Sequence, residues 1–515
     1  MAGQELTHEE VGGLPDRDSN RAQRDKPEHY AVVDIGSNSV RLVVYDQLGR
    51  VPFPRFNEKS LPRLGDGLVE TGEISTEGFR RTIEALRRFR AVADAMGVGR
   101  IDVLATEAIR RAANGGRLVA RIAEEAGLET RVLSGDEEAH YASLGVVAGF
   151  HRPTGLVGDM GGGSLEMAEI RDGRVGNQSV SLPLGALPVG ALLGRDGTSA
   201  RHGLDSVLSQ SLPRDWSQPV FYAVGGGWRA LARVHMESVA APVHVAHGYA
   251  LDATEARDFA KRIWRTPEAK LKAMPGVPSR RAATLPAAAL LMDRLLKRLA
   301  PERVVFSALG LREGWLYGQL PPEDQALDPL VEGARIYGTP LARNPAMPSA
   351  LMRWTDNLWP DETQEERRLR VAACAISDIA WRDHPSVQAA ESFRRLLQFP
   401  FVGIEHEERV FLSAVIHARY AGSERDPALR PAIKLLDRPQ RQRALLLGRV
   451  LLLGYRVSGS VPEILGSARL RIGGDAVRLE VGKAARVPDS EVVANRLNLV
   501  ASAAGVRRVS VIEVG

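Results

Sequence analysis

Two short stretches of the chain carry the same arrangement of reactive groups. Ala31 to Asp46 reads AVVDIGSNSVRLVVYD, and Gly155 to Ile170 reads GLVGDMGGGSLEMAEI. One constant shift puts Asp34 on Asp159, Gly36 on Gly161, Ser39 on Ser164 and Arg41 on Glu166. In each copy an apolar run delivers a carboxylate into a turn of small and hydroxyl-bearing residues, and a second apolar run leaves it. Small residues let a ligand approach the backbone, and successive N–H groups in a tight turn form an anion-binding nest. Gly36, Ser37, Asn38 and Ser39 in the first copy, and Gly161, Gly162, Gly163 and Ser164 in the second, therefore offer donors suited to phosphate oxygens. Asp34 and Asp159 would repel a bare phosphate. They make sense where a divalent cation or a bound water stands between carboxylate and anion. One copy alone would read first as an ordinary hairpin turn. Two in matching register point to paired phosphate binding, because unrelated turns need not share Asp, Gly and Ser at fixed spacing.

The elements that must hold these groups follow from hydrophobic periodicity. YAVVDI, VRLVVYD, IDVLAT, TRVLSG, GLVGDM, LEMAEI, VFYAVG and RVVFSALG read as buried strands. TEGFRRTIEALRRFRAVADAMG has helical spacing and closes at Gly97, and GDEEAHYASLGVVAGF and RRAATLPAAALLMDRLLKRLA also read as helices. Strands alternating with helices predict an α/β fold, and the repeated hairpin predicts two similar halves, 29–150 and 151–320. Beyond Pro321 strand signals give way to apolar, arginine-studded helical stretches, predicting a helical domain over 321–455. ARLRIGGDAVRLEVG and VRRVSVIEVG around a helical segment predict a small α+β appendage over 456–515.

Composition narrows the class. The 515 residues are 44% hydrophobic and 25% charged, as in ordinary globular proteins. No apolar run is long enough to span a bilayer. Residues 1–28 are polar, mixed in charge and without an apolar signal core, and are expected to be disordered. A single cysteine, Cys374, excludes an internal disulfide and fits a reducing, cytoplasmic setting. The net charge is only +5, with most basic residues arginine. Arginine's planar donors suit phosphate oxygens, but a GC-rich coding bias produces the same enrichment. No long run of like charge marks a nucleic-acid tail, and no specific nucleic-acid partner is expected.

The doubled hairpin resembles the actin, Hsp70 and sugar-kinase superfamily, in which the two hairpins grip phosphate. The wider motif set resembles the exopolyphosphatase/guanosine pentaphosphate phosphohydrolase family. It comprises DIGSNSVRL, ATEAIRRAANG, VLSGDEEAHYA, GDMGGGSLEM, VGGGWRALA, RRAATLPAAALL and SALGLREG, in family order. The resemblance implies two actin-like (ribonuclease H-like) domains flanking a cleft. It implies that Glu137, the first glutamate of SGDEEA, is the catalytic base, and that Asp34, Asp159 and Glu166 serve Mg²⁺ or another divalent cation and the attacking water. Arg110, Asn114 and Thr106 are implied to contact the phosphate chain beside the first hairpin, and Arg281 to reach it across the cleft. Arg41 stands where the family can place a residue affecting the choice of guanosine polyphosphate. Bland readings exist for each: Glu137 as a helix N-terminal dipole partner, Glu166 as a surface strand residue, and the arginines as solvated helix positions. Glu138 reads as the dipole or solvent residue, Trp228 and Arg229 as packing, and Arg312 with Glu313 as a structural ion pair.

Longer family members carry a helical domain resembling the His-Asp phosphohydrolase fold. Here Ser377-Asp378 stands where a His-Asp pair is expected, and His384, His406 and His417 are scattered, so this domain reads as degenerate. It is expected to extend a polyphosphate path or to form a homodimer interface. The expected function is a Mg²⁺-dependent exopolyphosphatase releasing orthophosphate from inorganic polyphosphate. The runner-up is the same chemistry on guanosine pentaphosphate. A kinase-like phosphotransferase and a non-catalytic guanosine-polyphosphate sensor are the alternatives from other classes.

Overall fold

β-Branched and apolar residues in HYAVVDI and VRLVVY close into an antiparallel pair, β1 (His29–Ile35) and β2 (Val40–Tyr45), with Asp34 opposite Arg41. In this computed structural model, which describes residues 29–195, 197–482 and 491–514, the pair extends to five strands. β3 (Pro54–Ser60) joins antiparallel to β2, while β4 (Val98–Ala105) and β5 (Thr130–Val132) run parallel to β1, in the order β3-β2-β1-β4-β5. The predicted disorder of 1–28 lies outside the described residues.

The second hairpin repeats the plan. β6 (Gly155–Met160) and β7 (Leu165–Arg171) pair with Asp159 opposite Glu166. β8 (Arg174–Leu182) joins antiparallel, and β9 (Val220–Val224) lies parallel to β6. β10 (Tyr249–Asp252) and β11 (Arg303–Phe306) complete the order β10-β11-β9-β6-β7-β8. Each sheet thus has three antiparallel strands followed by two parallel ones, and the second adds β10 antiparallel at its edge. β3, β8 and β10 are absent from the sequence-based strand list. β3 (PRFNEKS) has no buried residue and β8 only one, so neither shows the apolar alternation that marks a strand.

Both faces of the first sheet are covered, as period-two side-chain alternation requires. Ala31, Val33 and Ile35 pack against Leu86 and Phe89 of the helix Thr76–Ala95 and Leu118 of the helix Gly115–Ala126. Tyr30, Val32 and Tyr45 face the other way, onto Trp315 and Leu316 of the helix Leu311–Gly318. That helix comes from the far end of the α/β region and lies backbone to backbone on the helix Gly135–Gly149. A Cβ on Gly314 would stand 1.7 Å from the Tyr141 carbonyl oxygen, and one on Gly145 would stand 2.2 Å from the Gly310 carbonyl oxygen. Only glycine permits this approach. It brings GLREG and SGDEEA, remote in sequence, to the same cleft.

The chain divides into two compact units, one running to Pro329 with Pro400–His406, the other Leu330–Phe399 with the residues from Glu407 onward. Both α/β halves belong to the first unit. The second is helical, with Gln364–Ala375, Arg438–Ser458 and, from Glu407 onward, the helix His406–Arg419 among its helices. It ends in a three-stranded sheet, β12 (Ala468–Gly473), β13 (Ala476–Gly482) and β14 (Arg508–Val514), with the helix Glu491–Ala504. In the helical unit Asp378 is buried between Arg343 and Arg419. His417 meets Asp426 at 3.0 Å, and His384 bonds Ser386. His406 belongs to the first unit, where its Nε2 lies 2.7 Å from the Val245 carbonyl. No helix among the described residues is long and apolar enough to cross a membrane.

Candidate functional site

The two turns are built alike: Gly36 N–H donates to the Ser39 carbonyl at 3.0 Å, and Gly161 N–H to the Ser164 carbonyl at 2.9 Å. The second turn is further anchored. The N–H groups of Gly185, Ala186 and Leu187 donate to the carbonyls of Gly163, Gly161 and Gly162, which holds the triple-glycine backbone in one shape. The two turns also meet. Ser37 Oγ donates to Glu107 Oε2 at 3.0 Å, and a Cβ on Gly163 would fall 1.8 Å from that same oxygen. Glycine at 163 is what lets the second hairpin close on the first. Between them lies a cavity of about 250 Å³.

Most residues expected at a site do line this cavity: Asp34, Gly36, Ser37, Asn38, Ser39, Arg41, Thr106, Asp159, Gly161, Gly162, Gly163, Ser164, Glu166 and Arg281. Their chemistry is set by burial. Charged carboxylates are costly to keep in low dielectric, so burial raises their pKa values. It raises that of Asp34, and takes Asp159 to about 6 against the opposing pull of Arg229. It lifts Glu166 well above the usual range, although Ser181 Oγ donates to Glu166 Oε1 at 3.2 Å.

Three expected residues lie elsewhere. Glu137 occupies the third position of its helix and turns back to the N-cap, accepting from Ser134 N–H at 2.9 Å while Ser134 Oγ accepts from Glu137 N–H. This reciprocal capping box uses the carboxylate structurally. The Ser134 N–H and then Arg131, whose Nη2 lies 2.5 Å away, hold Glu137 below the ordinary range. Glu138, one position on, is the glutamate that enters the cavity. It is 6% exposed, and burial raises it to about 7 despite its ion pair with Arg110. Arg110 is spent on that pair and on the Leu133 carbonyl. It therefore positions Glu138 rather than lining the cavity. Asn114 lies farther off, its amide bonding both the N–H and the carbonyl of Ile74.

Several cavity residues were not expected from sequence. Lys59 comes from the exposed strand β3, in register with Arg41. Glu107 follows Thr106 and is pinned by Ser37 and Arg111. Arg229 is buried against the Ala308 carbonyl at 2.6 Å, and burial lowers its pKa to about 10. Arg312 and Glu313 also line the cavity. The motifs VGGGWRALA and GLREG were the only signals for these last three.

Asp34 and Asp159 supply hard oxygen donors at the ends of matching strands. Mg²⁺ is commonly held by one or two carboxylates with substrate phosphate and water completing its shell. These two residues fit that demand. Among the described residues no three His, Cys, Asp or Glu side chains gather into a ready metal cage.

The duplicated α/β fold thus sets two glycine- and serine-bearing turns on one cavity, together with the buried carboxylates Glu138 and Glu166. Residues 43–323 match the Ppx/GppA phosphatase family, and residues 338–512 match the exopolyphosphatase C-terminal family. The chain belongs to the Ppx/GppA phosphatase family. It is 29% identical over 337 residues to exopolyphosphatase 1 of Mycobacterium tuberculosis, covering 61% of this chain and 96% of that protein. It is 28% identical over 349 residues to retrograde regulation protein 2 of Saccharomyces cerevisiae, covering 59% of this chain and 58% of that one. The crystal structure of an exopolyphosphatase from Cytophaga hutchinsonii shares the fold, with a TM-score of 0.50 and 23% identity over 56% of this chain and 97% of the other.

Proposed function

We propose that this chain is an exopolyphosphatase, cleaving the terminal phosphoanhydride bond of inorganic polyphosphate with water. The observation that carries the reading is the position of Glu138. It is a buried carboxylate raised to about 7, in one cavity with Asp34, Asp159 and both turns. A general base poised near neutrality matches the task of taking a proton from water.

The turns bind the phosphate chain through backbone N–H groups and the hydroxyls of Ser37, Ser39 and Ser164, joined by Arg41 and Arg281. A divalent cation held by Asp34 and Asp159 would offset the charge of the polyanion. Glu138, oriented by Arg110, accepts the water proton as the water oxygen bonds to the terminal phosphorus. The bridging P–O bond breaks, its electron pair stays on the shortened chain, and orthophosphate leaves. Glu138 thus takes the role that the family resemblance implied for Glu137. Two copies of the chain per particle and a cytoplasmic setting complete the reading.

The test is orthophosphate release from long-chain polyphosphate and from guanosine pentaphosphate, measured in parallel with Mg²⁺. Faster turnover of polyphosphate supports the reading. Far more efficient hydrolysis of guanosine pentaphosphate replaces it with the nucleotide-directed activity, and release from neither rejects both.

A further inference from the structure

Arg312 stands in GLREG, at the start of the helix that crosses from the second half of the fold to cover the first sheet. It is 9% exposed and lines the cavity. Its Nε has no hydrogen-bond partner. The nearest carboxylates are both 3.7 Å away: Asp34 Oδ2 from Nη1 and Glu313 Oε1 from Nε. Those separations exceed a hydrogen bond, so Arg312 and Glu313 form the expected ion pair by charge alone, without a hydrogen bond between them.

Glu313 makes its hydrogen bonds elsewhere. Its Oε2 accepts from Gly310 N–H at 3.0 Å and its Oε1 from Tyr45 hydroxyl at 2.8 Å. Arg41 and Arg229, by contrast, each donate to a protein oxygen, Asn57 Oδ1 at 2.8 Å and the Ala308 carbonyl at 2.6 Å. A buried guanidinium with an unmet donor is costly, and its fork matches the oxygens of a phosphoryl group. The Nη1 end of the fork lies beside Asp34 in the same cavity, where a donor can meet charge that develops during transfer.

We propose that Arg312 is a further catalytic residue, donating to the non-bridging oxygens of the phosphoryl group under transfer, with Glu313 and Tyr45 holding it in place. This rests on the hydrolase reading above. Arg312 neither gains nor loses a proton in the step; it stabilises the negative charge on those oxygens while the bonds at phosphorus exchange.

The full chain is compared with Arg312→Ala and Arg312→Lys by orthophosphate release from polyphosphate, by calorimetric titration with orthophosphate, and by thermal melting. By analogy with arginines that stabilise phosphoryl transfer, Arg312→Ala is expected to lose ~10³-fold in kcat. Arg312→Lys, which keeps the charge without the fork, is expected to fall between. Millimolar guanidinium should restore at least about tenfold to Arg312→Ala, a cavity effect that a structural role would not produce. Retention of kcat within about threefold in Arg312→Ala overturns the proposal. So does loss of activity with no guanidinium rescue and unchanged orthophosphate affinity, because the role is then structural. If wild type hydrolyses neither substrate yet orthophosphate binding weakens in both variants, the hydrolase reading fails while the phosphate contact of Arg312 stands.

Discussion

Replacing Glu138 with Gln and Glu137 with Ala separates two adjacent carboxylates by function. Glu138 is buried in the cavity, where burial raises it from 4.5 to about 7. A tenfold change in acidity is worth about 1.4 kcal/mol, so keeping this group charged costs on the order of 3 kcal/mol. Glutamine is close in shape and carries no charge, and it can still accept from Arg110. Glu138→Gln should therefore melt no lower than wild type at neutral pH, while losing a general base worth about 10²- to 10⁴-fold in kcat. Glu137→Ala should do the reverse. It removes the side-chain half of the capping box, a change worth about 0.5–2 kcal/mol, and leaves the reacting groups in place. The assay is steady-state orthophosphate release from polyphosphate, with thermal melts of both variants. Wild-type kcat should also rise with pH through about 7, as Glu138 becomes the carboxylate. Glu138→Gln retaining kcat within about threefold, or Glu137→Ala losing as much as Glu138→Gln, would refute the assignment.

Two further outcomes follow from the same geometry. Asp34, Asp159, Glu138 and Glu166 all bind protons more tightly folded than unfolded, so their stabilising contribution is complete below the ordinary carboxylate range. For Asp159 and Glu138 it is lost as pH rises through about 6 to 7. In chelator, scanning fluorimetry should show Tm falling between pH 6 and 8, and Asp159→Asn should flatten that fall; a Tm that climbs over this range in wild type speaks against the buried carboxylate cluster. Asn114→Ala loses both bonds to Ile74 and should cost about 1–3 kcal/mol in urea unfolding with kcat unchanged. A large loss of kcat at full stability would return Asn114 to the site.

The doubled hairpin was legible because it is local. Each turn's glycines and hydroxyls lie within a few residues of their aspartate, and antiparallel pairing sets Asp34 opposite Arg41 and Asp159 opposite Glu166. The choice between Glu137 and Glu138 was not legible. Neighbours on a helix point about 100° apart, and which one faces the cavity depends on what packs against that helix. The Gly145–Gly314 contact, between residues remote in sequence, decides it. Lys59 was hidden for another reason: its strand has no fully buried residue and carries no apolar alternation.

What the chain declares by composition and pattern is an α/β fold with two phosphate-type turns, each closing a strand that ends in aspartate. Those features depend on neighbours along the backbone, so they survive in the linear text. Tertiary structure alone decided which groups share the cavity. Burial raised Glu138, engaged Glu137 in a cap, diverted Asn114 to Ile74, and delivered Arg312 from the other half of the fold. Proton affinity and charge pairing are properties of three-dimensional surroundings, and those exist only once the two halves have closed on one another.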